Sequence, residues 1–461
     1  MEHKNIFMKY ALLEGLKKKI QTQWILFVLI AVGIFLRTYH FQRLLVFASD
    51  QFRDLELVKS VVNGHNTWPL LGPDMTGGQG FRLGPIYYYF QIISAKIFGI
   101  SSLSQAYPDL FFSILSIPLL YYFLKRYFSE KTALLSVTVY VFSYFSIEYS
   151  RFAWNVNFIP FFVLLFLLSF EEFLSGEEKT QWKWIAGTGI ALGVGIQLHA
   201  ILLILLLVMA VGIFVFLIVR NIRVWKKIIV IILITLFLNT PQLLSEQKNS
   251  FANTKIFFRA FFFKSQRSGG TILKGITLDV ACNAQANTHI LSSLGNKDIC
   301  DFLYDNQQIS TTYKTPIILD RQPWSLFGKF VSLFFSVSGC GFLLYHFFKD
   351  KGREKYFSGL LVLYGFLYFL IMIPIAPGSR LRYYLPIIFL PFVFLSFIFE
   401  FLMQKYPQKC NWIIGLLVSF LLMTNLSSMR LRLNETGCSK EVQANFGCNL
   451  PLDGTFVRKR R

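Results

Sequence analysis

Acidic residues are scarce in this sequence: its 461 residues include 25 Asp and Glu against 46 Lys and Arg, a net charge of +21. The sequence also lacks the paired Cys and His spacings of zinc sites, the GxSxG elbow of serine hydrolases and the GxxxxGK[ST] loop that binds nucleotide phosphates. Zinc hydrolysis, serine hydrolysis and P-loop chemistry are therefore unsupported. We find no internal repeat, no low-complexity tract and no matching pair of Gly- or Pro-broken apolar segments of the kind typical of inverted-repeat transporters.

Long apolar runs dominate what is present. Hydrophobic residues make up 54% of the chain, and 51 residues are Phe. Windows such as WILFVLIAVGIFL and ILLILLLVMAVGIFVFLIV are apolar on every face, which suits a helix in lipid and not a helix in water. The sequence therefore predicts an all-α polytopic membrane protein. We expect about eleven transmembrane helices, near 24–41, 105–124, 132–148, 157–174, 184–198, 201–219, 226–241, 326–348, 356–373, 384–402 and 411–426.

The segment GPIYYYFQIISAKIFG decides the topology. The residues between Pro85 and Gly99 span about 20 Å of helix, less than the roughly 30 Å apolar core of a bilayer. We therefore interpret this segment as an amphipathic helix that lies at the interface. With it lying flat, the five later inside loops hold 15 Lys and Arg, as the positive-inside rule requires. The three short outside loops hold Arg151, Arg380 and Arg382.

Basic residues cluster in short segments between the apolar runs, as expected of cytoplasmic loops, and we therefore expect no nucleic-acid partner despite the high net charge. The N-terminus is predicted to be cytoplasmic and the C-terminus extracytoplasmic. Four units are predicted. Residues 1–241 form an N-terminal transmembrane module that includes the outer loop 42–104, and residues 242–325 form an extracytoplasmic loop. Residues 326–426 form the C-terminal transmembrane helices, and residues 427–461 form an extracytoplasmic tail.

The cysteines fit this topology. Four of the six lie in segments predicted to be outside, where disulfides can form. We predict that Cys282 pairs with Cys300 and that Cys438 pairs with Cys448. Cys340 and Cys410 lie in or beside the membrane and are expected to be unpaired.

Two carboxylates stand at the membrane edge, in the stretch SDQFRDLELVKSVVNG. Ser49 can cap a helix here, Asp50 suits its first turn, and Gly64 follows its end. Asp50 and Asp54 then share one face at i and i+4. Two like charges one turn apart cost energy unless a cation, a metal or a substrate phosphate separates them, or one takes up a proton. We predict a functional role for Asp50, whereas for Asp54 a functional and a helix-surface role are equally open.

The other candidate residues fall on the same outer side. An isolated loop Arg usually contacts solvent or lipid phosphate, and a single His usually packs, but convergence from several loops indicates a site. Arg clusters bind phosphate through forked hydrogen bonds, and Tyr and Trp stack on sugar rings. The candidates for phosphate binding are Arg82, Arg151, Arg380 and Arg382. Those for binding sugar or acceptor are Tyr87, Tyr88, Trp154, Asn155, Gln197, His199 and Tyr383.

The order of the motifs resembles a known family. A membrane-edge Asp is followed by PLLGP, GPIYYYFQIISAKIFG, EYSRFAWNVNFIPFF, GIALGVGIQLHA and RLRYYLP. In this order the motifs are similar to those of the GT-C integral-membrane glycosyltransferases. Within that superfamily they resemble the dolichyl-phosphate-mannose protein mannosyltransferases and the lipid A aminoarabinose transferases. The resemblance extends over residues 20–400 and is strongest over 45–200.

The resemblance implies an outer loop with two interfacial helices and the catalytic acid, a polyprenyl-phosphate sugar donor, membrane lipids as surroundings, and an acceptor reached from outside. Many relatives carry an acidic residue just before the Pro that opens the second interfacial helix. Here that stretch reads FRLGP, with no acid. The metal or phosphate role that this acid carries in relatives is therefore not matched here, and Arg82 is the alternative group that would neutralise phosphate. A divalent metal stays open as a cofactor.

These observations predict an inverting glycosyl transfer in which Asp50 accepts the proton of the acceptor's hydroxyl or amine. Arg380 and Arg382, with Arg151 or Arg82, would stabilise the departing lipid phosphate. Two alternatives remain: a flippase or transporter of lipid-linked sugars, and a glycan polymerase or ligase with lipid-diphosphate donors. A transporter should carry polar residues along a path within its helices, and these helices have few. The sugar, the acceptor (glycan, lipid or protein) and the carrier length stay open.

The charge distribution generates a topology test. Single-cysteine labelling should find positions near Arg126 and Lys226 accessible from the cytoplasm and positions near Arg151 and Arg380 accessible from outside, because basic loops stay inside. A membrane-impermeant maleimide, applied to intact cells and to inverted vesicles, provides the measurement. Labelling near Arg126 and near Arg151 from the same side would contradict the predicted threading.

Overall fold

The structure is a computed structural model that describes residues 21–47, 49–75, 80–175, 181–220, 224–262, 272–294 and 324–434. Within these ranges the chain is helical apart from its loops and an isolated β-bridge between Asp74 and Arg82. The α-helices are α1 (Gln21–Thr38), α2 (Ser49–Val62), α3 (Ile86–Phe98), α4 (Ser102–Lys125), α5 (Glu130–Phe142), α6 (Tyr144–Glu148), α7 (Ile159–Ser175), α8 (Gln181–Gly195), α9 (Ala200–Arg220), α10 (Trp225–Leu238), α11 (Thr240–Lys248), α12 (Ala252–Phe262), α13 (Ile272–Ser292), α14 (Trp324–Lys349), α15 (Gly352–Met372), α16 (Leu390–Lys405) and α17 (Cys410–Asn434). Short 3-10 helices cover Asn155–Phe158, Ala376–Gly378 and Leu381–Ile387.

Seven stretches are long and apolar enough to cross a membrane, namely α1, α4, α7 with the 3-10 turn before it, α9, α14, α15 and α17. Two further candidates are bent pairs: α10 meets α11 at 64°, and the 3-10 segment Leu381–Ile387 meets α16 at 53°. The chain is therefore an all-α, multi-pass membrane protein, as predicted. By length and composition the described residues supply seven to nine spans, so the expected count of eleven is not reached by this measure.

The shortfall comes from two predicted spans that form shorter helices. The stretch 132–148 is divided at Ser143 into α5, of 13 residues, and α6, of five. The stretch 184–198 forms α8, whose 15 residues span about 22 Å at 1.5 Å per residue. The predicted hairpin after this helix is present, because α8 ends at Gly195 and α9 begins at Ala200.

The break between α5 and α6 is held by side chains from distant helices. Asn425 of α17 accepts the Tyr144 N–H at 2.7 Å and donates to the Leu291 carbonyl at 2.7 Å. The Ser143 hydroxyl donates to the Ile290 carbonyl at 2.6 Å. Polar backbone groups within a bilayer need protein partners because no water is available. The break is therefore stabilised by α17 and by the end of α13.

Several of the predicted cytoplasmic loops meet at one end of the bundle. Arg126, after α4, lies 3.2 Å from Glu171 and 2.6 Å from Glu172, both near the end of α7. Arg353, in the first turn of α15, lies 3.0 Å from each of the same two carboxylates. The ends of α4 and α7 and the start of α15 are therefore neighbours, as the alternating threading requires.

The opposite end, which we call the outer end, contains α2 and α3. The Ile86 N–H at the start of α3 donates to Gln197, in the turn between α8 and α9, at 3.2 Å. Gln105, near the start of α4, donates to the Gln51 carbonyl of α2 at 3.0 Å. Because its first turn and the helix that follows it both contact the outer end, α3 does not cross the bundle. This agrees with its interpretation as an interfacial helix.

The segment 242–325, expected to be an outer loop, contributes a helix to the bundle. A Cβ on Gly275 of α13 would lie 2.6 Å from the Ile373 carbonyl oxygen, so the two backbones are in close contact. Further along α13, the Asn287 side chain donates to the Ser336 hydroxyl of α14 at 3.0 Å. Of the described parts of this segment, α13 therefore packs against other helices of the bundle and does not stand apart from them.

The cysteines are described in part. Cys282, on α13, forms a disulfide, whereas Cys340 and Cys410 are free thiols. The predicted partner Cys300 and the predicted pair Cys438 and Cys448 lie outside the described residues. The pairing and the unit boundaries stay predictions.

The hydrogen bonds of Asn425 generate a stability test. Asn425→Ala should lower the free energy of unfolding by roughly 2 kcal/mol or more, because it leaves buried backbone groups of Tyr144 and Leu291 without partners. Asn411→Ala on the same helix is the control, since that side chain is exposed and contacts the Lys131 side chain. Thermal unfolding in detergent, followed by tryptophan fluorescence, compares the variants. Equal midpoints for the two variants would contradict the role of Asn425.

Candidate functional site

Helix α2 carries both predicted acids and is fixed to the outer end. Asp50 in its first turn and Lys59 in its last turn suit the helix dipole. Val58 on its inner side is completely buried. Gln51, also buried, donates to the Ala153 carbonyl at 2.9 Å. The helix is therefore held against the loop between α6 and α7.

Arg53 bridges the two acids. One of its terminal nitrogens lies 3.0 Å from Asp50, and the other lies 2.8 Å from Asp54. The Arg53 Nε also donates to Asp54, at 2.9 Å, and the Tyr88 hydroxyl of α3 donates to the same carboxylate at 2.9 Å. The Asp54 side chain is 3% exposed, whereas that of Asp50 is 41% exposed. One acid is thus buried in a network and the other faces outward.

The cation that separates the two acids is a residue that the sequence reasoning missed. Arg53 follows Asp50 by three positions and directly precedes Asp54. A basic residue at i+3 on a helix can reach an acid at i, so the spacing alone could have indicated the pair. The two carboxylates are therefore neighbours of one guanidinium group.

Burial sets the protonation of Asp54. Removal from water raises the pKa of Asp54 to about 6, although the Arg53 charge and the Tyr88 hydrogen bond favour the charged form. Burial alone would lower the pKa of Arg53, but the nearby carboxylates outweigh it and raise that pKa, so Arg53 stays charged. Asp54 is consequently ionised at neutral pH but takes up a proton as the pH falls through about 6.

A second cluster lies where the 3-10 segment after α15 meets the loop before α7. The Arg382 guanidinium lies over the Trp154 ring at 5.0 Å and over the Tyr383 ring at 5.4 Å. The Tyr383 ring is 5.6 Å from the ring of His199. Arg380, two residues before Arg382, is buried to the same extent. The structure thus brings together four predicted candidates from three loops, and Arg380 lies two residues away along the chain.

His199 is neutral in this cluster. Burial, followed by the charge of Arg382, lowers the pKa of His199 to about 3. Its Nδ1 accepts the Ile201 N–H at 3.2 Å, which leaves Nε2 as the protonated nitrogen of the neutral ring. His199 can therefore act as a hydrogen-bond donor but not as a cation at neutral pH.

The two clusters are connected through the loop before α7. Gln51, next to Asp50, holds the Ala153 carbonyl, and the following N–H, of Trp154, donates to Asp109 at 3.1 Å. Asp109 is completely buried in α4 and was not among the predicted candidates. An acid within an apolar run is a recognisable signal, because charged residues inside spans usually have a specific partner.

The start of α3 explains why an acid is missing from FRLGP. A Cβ on Gly84 would lie only 2.2 Å from the Gln197 Oε1 and 2.4 Å from its Cγ. The Gln197 Oε1 accepts the Ile86 N–H, and its Nε2 donates to the Gly193 carbonyl at 2.9 Å and the Leu238 carbonyl at 3.0 Å. Gln197 therefore fills the space that a side chain before Pro85 would need, and its amide is committed to the framework.

Two other predicted residues have structural partners. The Arg151 guanidinium, 1% exposed, donates to the Leu36 carbonyl at 2.6 Å and the Tyr39 carbonyl at 3.0 Å. It satisfies carbonyls at the end of α1, where a basic group is favoured. The Asn155 side chain donates to the Leu198 carbonyl in the turn after α8. These contacts favour a supporting role for both residues over direct contact with phosphate or sugar.

Arg82 and Tyr87 lie on either side of Pro85. The Arg82 Nε lies 3.1 Å from Asp74, and its backbone exchanges two hydrogen bonds with the Asn253 side chain. Its side chain is 41% exposed. Tyr87 is completely buried and accepts a hydrogen bond from Gln91 at 2.8 Å. Arg82 is thus accessible but already paired, and Tyr87 packs inside.

The residues present fit a divalent metal poorly. Asp50 and Asp54 are occupied by Arg53, and the position that an acid would take before Pro85 is Gly84. In the described ranges no group of three or more His, Cys, Asp or Glu side chains is placed to hold a metal ion. Zinc and calcium normally take several such ligands, and Mg²⁺ can bind through one or two carboxylates plus a substrate phosphate, but here both carboxylates are already paired with Arg53. We therefore derive no step through a metal.

Comparison by sequence gives one family. Residues 83–244 match the model of the dolichyl-phosphate-mannose-protein mannosyltransferase family. The match begins after α2 and so excludes both of its acids. No curated protein matches this chain in sequence.

Comparison by structure gives neighbours of the same architecture. ArnT from Cupriavidus metallidurans, bound to undecaprenyl phosphate, has a TM-score of 0.56 at 12% identity, over 90% of this chain and 76% of that one. The oligosaccharyltransferase of Archaeoglobus fulgidus in its apo form has a TM-score of 0.55 at 14% identity, over 95% of this chain and 59% of that one. Identities this low show the fold. The chain has the GT-C fold that the order of its motifs predicts.

Proposed function

We propose that this protein is a glycosyltransferase that moves a sugar from a polyprenyl-phosphate donor to an acceptor on the extracytoplasmic side. The carrying observation is that an outward-facing carboxylate, Asp50, shares one end of a GT-C bundle with the guanidinium group of Arg382. In support, the matched family is named for dolichyl-phosphate-mannose, and one structural neighbour is bound to undecaprenyl phosphate. A lipid-phosphate donor presents its phosphate at the membrane edge, where both groups lie.

Asp50 is the proposed base. It is 41% exposed, so an acceptor can reach it, and Arg53 fixes its position at 3.0 Å. A base must lie within hydrogen-bond reach of the proton that it removes. Asp54 is nearly buried and therefore less accessible to an acceptor. We propose that its role is to hold Arg53 in position. The i, i+4 pair of acids thus divides into one that reacts and one that supports.

Arg382, with Arg380, is the proposed site for the donor phosphate. Both are about nine-tenths buried, and charge-assisted hydrogen bonds are stronger where water is excluded. Stacking on Trp154 and Tyr383 holds the Arg382 guanidinium plane in place. Charge that develops on the departing phosphate would therefore meet a preorganised cation.

The sugar would lie between the clusters. Tyr88, which holds Asp54 in one cluster, and neutral His199 in the other are the proposed partners of the sugar hydroxyls. Trp154 and Tyr383 offer ring faces of the kind that stack on sugars. The remaining candidates, whose contacts are with the protein itself, are assigned to the framework of this site: Arg82, Arg151, Tyr87, Asn155 and Gln197.

The reaction balances as a single displacement. The acceptor oxygen or nitrogen attacks the anomeric carbon, the bond from that carbon to the phosphate oxygen breaks, and the electron pair leaves with the lipid phosphate. The acceptor proton passes to Asp50. One displacement inverts the anomeric centre. In the proposed arrangement the base lies in the N-terminal module 1–241, Arg380 and Arg382 lie in the unit 326–426, the N-terminus is cytoplasmic and the active site is on the outer side.

The base assignment is tested at Asp50. Asp50→Asn should reduce turnover by about two to four orders of magnitude while binding of undecaprenyl phosphate stays largely intact, because only proton acceptance is removed. Turnover is measured as release of sugar from a panel of polyprenyl-phosphate sugars in nanodiscs, mannose first. Glu56→Gln, an exposed acid on the same helix, is the control and should be unaffected. Near-normal turnover in Asp50→Asn would contradict the assignment of Asp50 as the base. Movement of the lipid-linked sugar across the membrane without bond cleavage would instead support a flippase.

The protonation of Asp54 predicts the acid side of the pH profile. Because the pKa of Asp54 is raised to about 6, its charged form is present above that pH and is lost below it. Turnover should therefore fall as the pH drops through about 6, since protonated Asp54 holds Arg53 less strongly. The Asp54→Asn variant should turn over more slowly and lack this limb. A limb of the same midpoint in wild type and Asp54→Asn would contradict the assignment.

A further inference from the structure

We propose that Arg53 is the resident cation of this site and takes the place that a divalent metal would occupy between the two carboxylates. The inference rests on the proposed function, because it concerns how the same site balances its charge. It arises from a mismatch: the site holds two acids one turn apart, yet its residues do not fit a metal.

The first step is the geometry of the bridge. Three Arg53 nitrogens face carboxylate oxygens, at 3.0 Å from Asp50 and at 2.8 and 2.9 Å from Asp54. A guanidinium group is planar and carries its donors in a fixed fork, so two contacts to one acid orient the third donor toward the other. Arg53 therefore supplies both the charge and the directionality with which a metal would join the acids.

The second step is the missing ligand. The position before Pro85 is Gly84, and Gln197 fills the space into which a side chain there would project. The backbone at this point cannot easily withdraw, because a Cβ on Gly72 would lie only 2.1 Å from the Gly84 carbonyl oxygen. Packing therefore leaves little room for an acid from this direction, and the charge of the two carboxylates is balanced by Arg53.

The third step is the rigidity of the support. The Tyr88 hydroxyl donates to Asp54, which is nearly buried, and Gln51 ties α2 to the Ala153 carbonyl. The Arg53 side chain is itself 47% exposed. The cation is thus anchored from the inside and open on the outside, where the donor phosphate would arrive. Arg53 acts as a positioning residue for Asp50 and as a positive charge facing the donor.

Wild-type protein gives the first test, which needs no substitution. Turnover should be unchanged by EDTA and by added Mn²⁺. Calorimetric titration with Mn²⁺ should give the same result for wild type and Asp50→Asn, because no Mn²⁺ binds at Asp50. Loss of turnover in EDTA with recovery in Mn²⁺ would overturn the proposal. If no sugar is released from any donor in the panel, the proposed function fails, but the Mn²⁺ titration still decides whether Arg53 excludes a metal.

Substitution of Arg53 gives the second test. Arg53→Gln should reduce turnover by about 100-fold or more, as expected when a preorganised charge is removed. It should also create Mn²⁺ binding, because two acids are left without a cation. This binding should disappear in the double variant Arg53→Gln, Asp50→Asn. Unchanged turnover in Arg53→Gln, or absence of new Mn²⁺ binding in a folded variant, would overturn the proposal.

Two further variants guard against loss of folding. Arg53→Lys keeps the charge but not the fork, so its turnover should lie between those of wild type and Arg53→Gln. Lys59→Gln removes a basic residue from the exposed last turn of α2 and should change neither turnover nor Mn²⁺ binding. The thermal midpoint of each variant in detergent identifies unfolded protein before activity is compared.

Discussion

The absence of water inside a bilayer is the constraint on which this structure depends. A polar group that lies among the spans must find a protein partner or cost several kcal/mol. At both ends of the bundle the chain pairs polar groups with one another. At one end Arg126 and Arg353 pair with the carboxylates of Glu171 and Glu172. Elsewhere, single buried side chains such as Asn425 form hydrogen bonds with backbone groups that have no partner where a helix is interrupted or ends.

The outer end uses the same principle to hold a reactive arrangement. Gln51 and Asp109 capture successive backbone groups of the loop that carries Trp154, and Trp154 in turn supports the Arg382 guanidinium. Each contact satisfies a group that would otherwise be unpaired, and each also fixes a candidate residue. Stability and preorganisation therefore come from the same hydrogen bonds. The candidate donor site lies on short loops between helices, and these contacts hold the loops in place.

Much of the architecture could be predicted from the sequence because it follows from local properties. Apolar runs indicate spans, and the thirteen-residue length of α3 indicates a helix that does not cross. The break at Ser143 could not be predicted, since the Asn425 side chain that satisfies it is 281 residues from Tyr144. The roles of Gln197 and Arg151 also depend on distant contacts, with Ile86 and with the end of α1. The role of Arg53, in contrast, could have been predicted, because its spacing of three residues from Asp50 on a helix can be read directly from the sequence.

The unequal burial of the two acids gives the site its order. A nearly buried carboxylate such as Asp54 carries a desolvation cost, which the rise of its pKa expresses. Two Arg53 donors and the Tyr88 hydroxyl offset that cost and leave the guanidinium group little freedom to rotate. The remaining donor then meets Asp50 from a fixed direction. The packed core thus fixes Asp54, Asp54 fixes the Arg53 guanidinium group, and Arg53 fixes the Asp50 carboxylate that faces the acceptor.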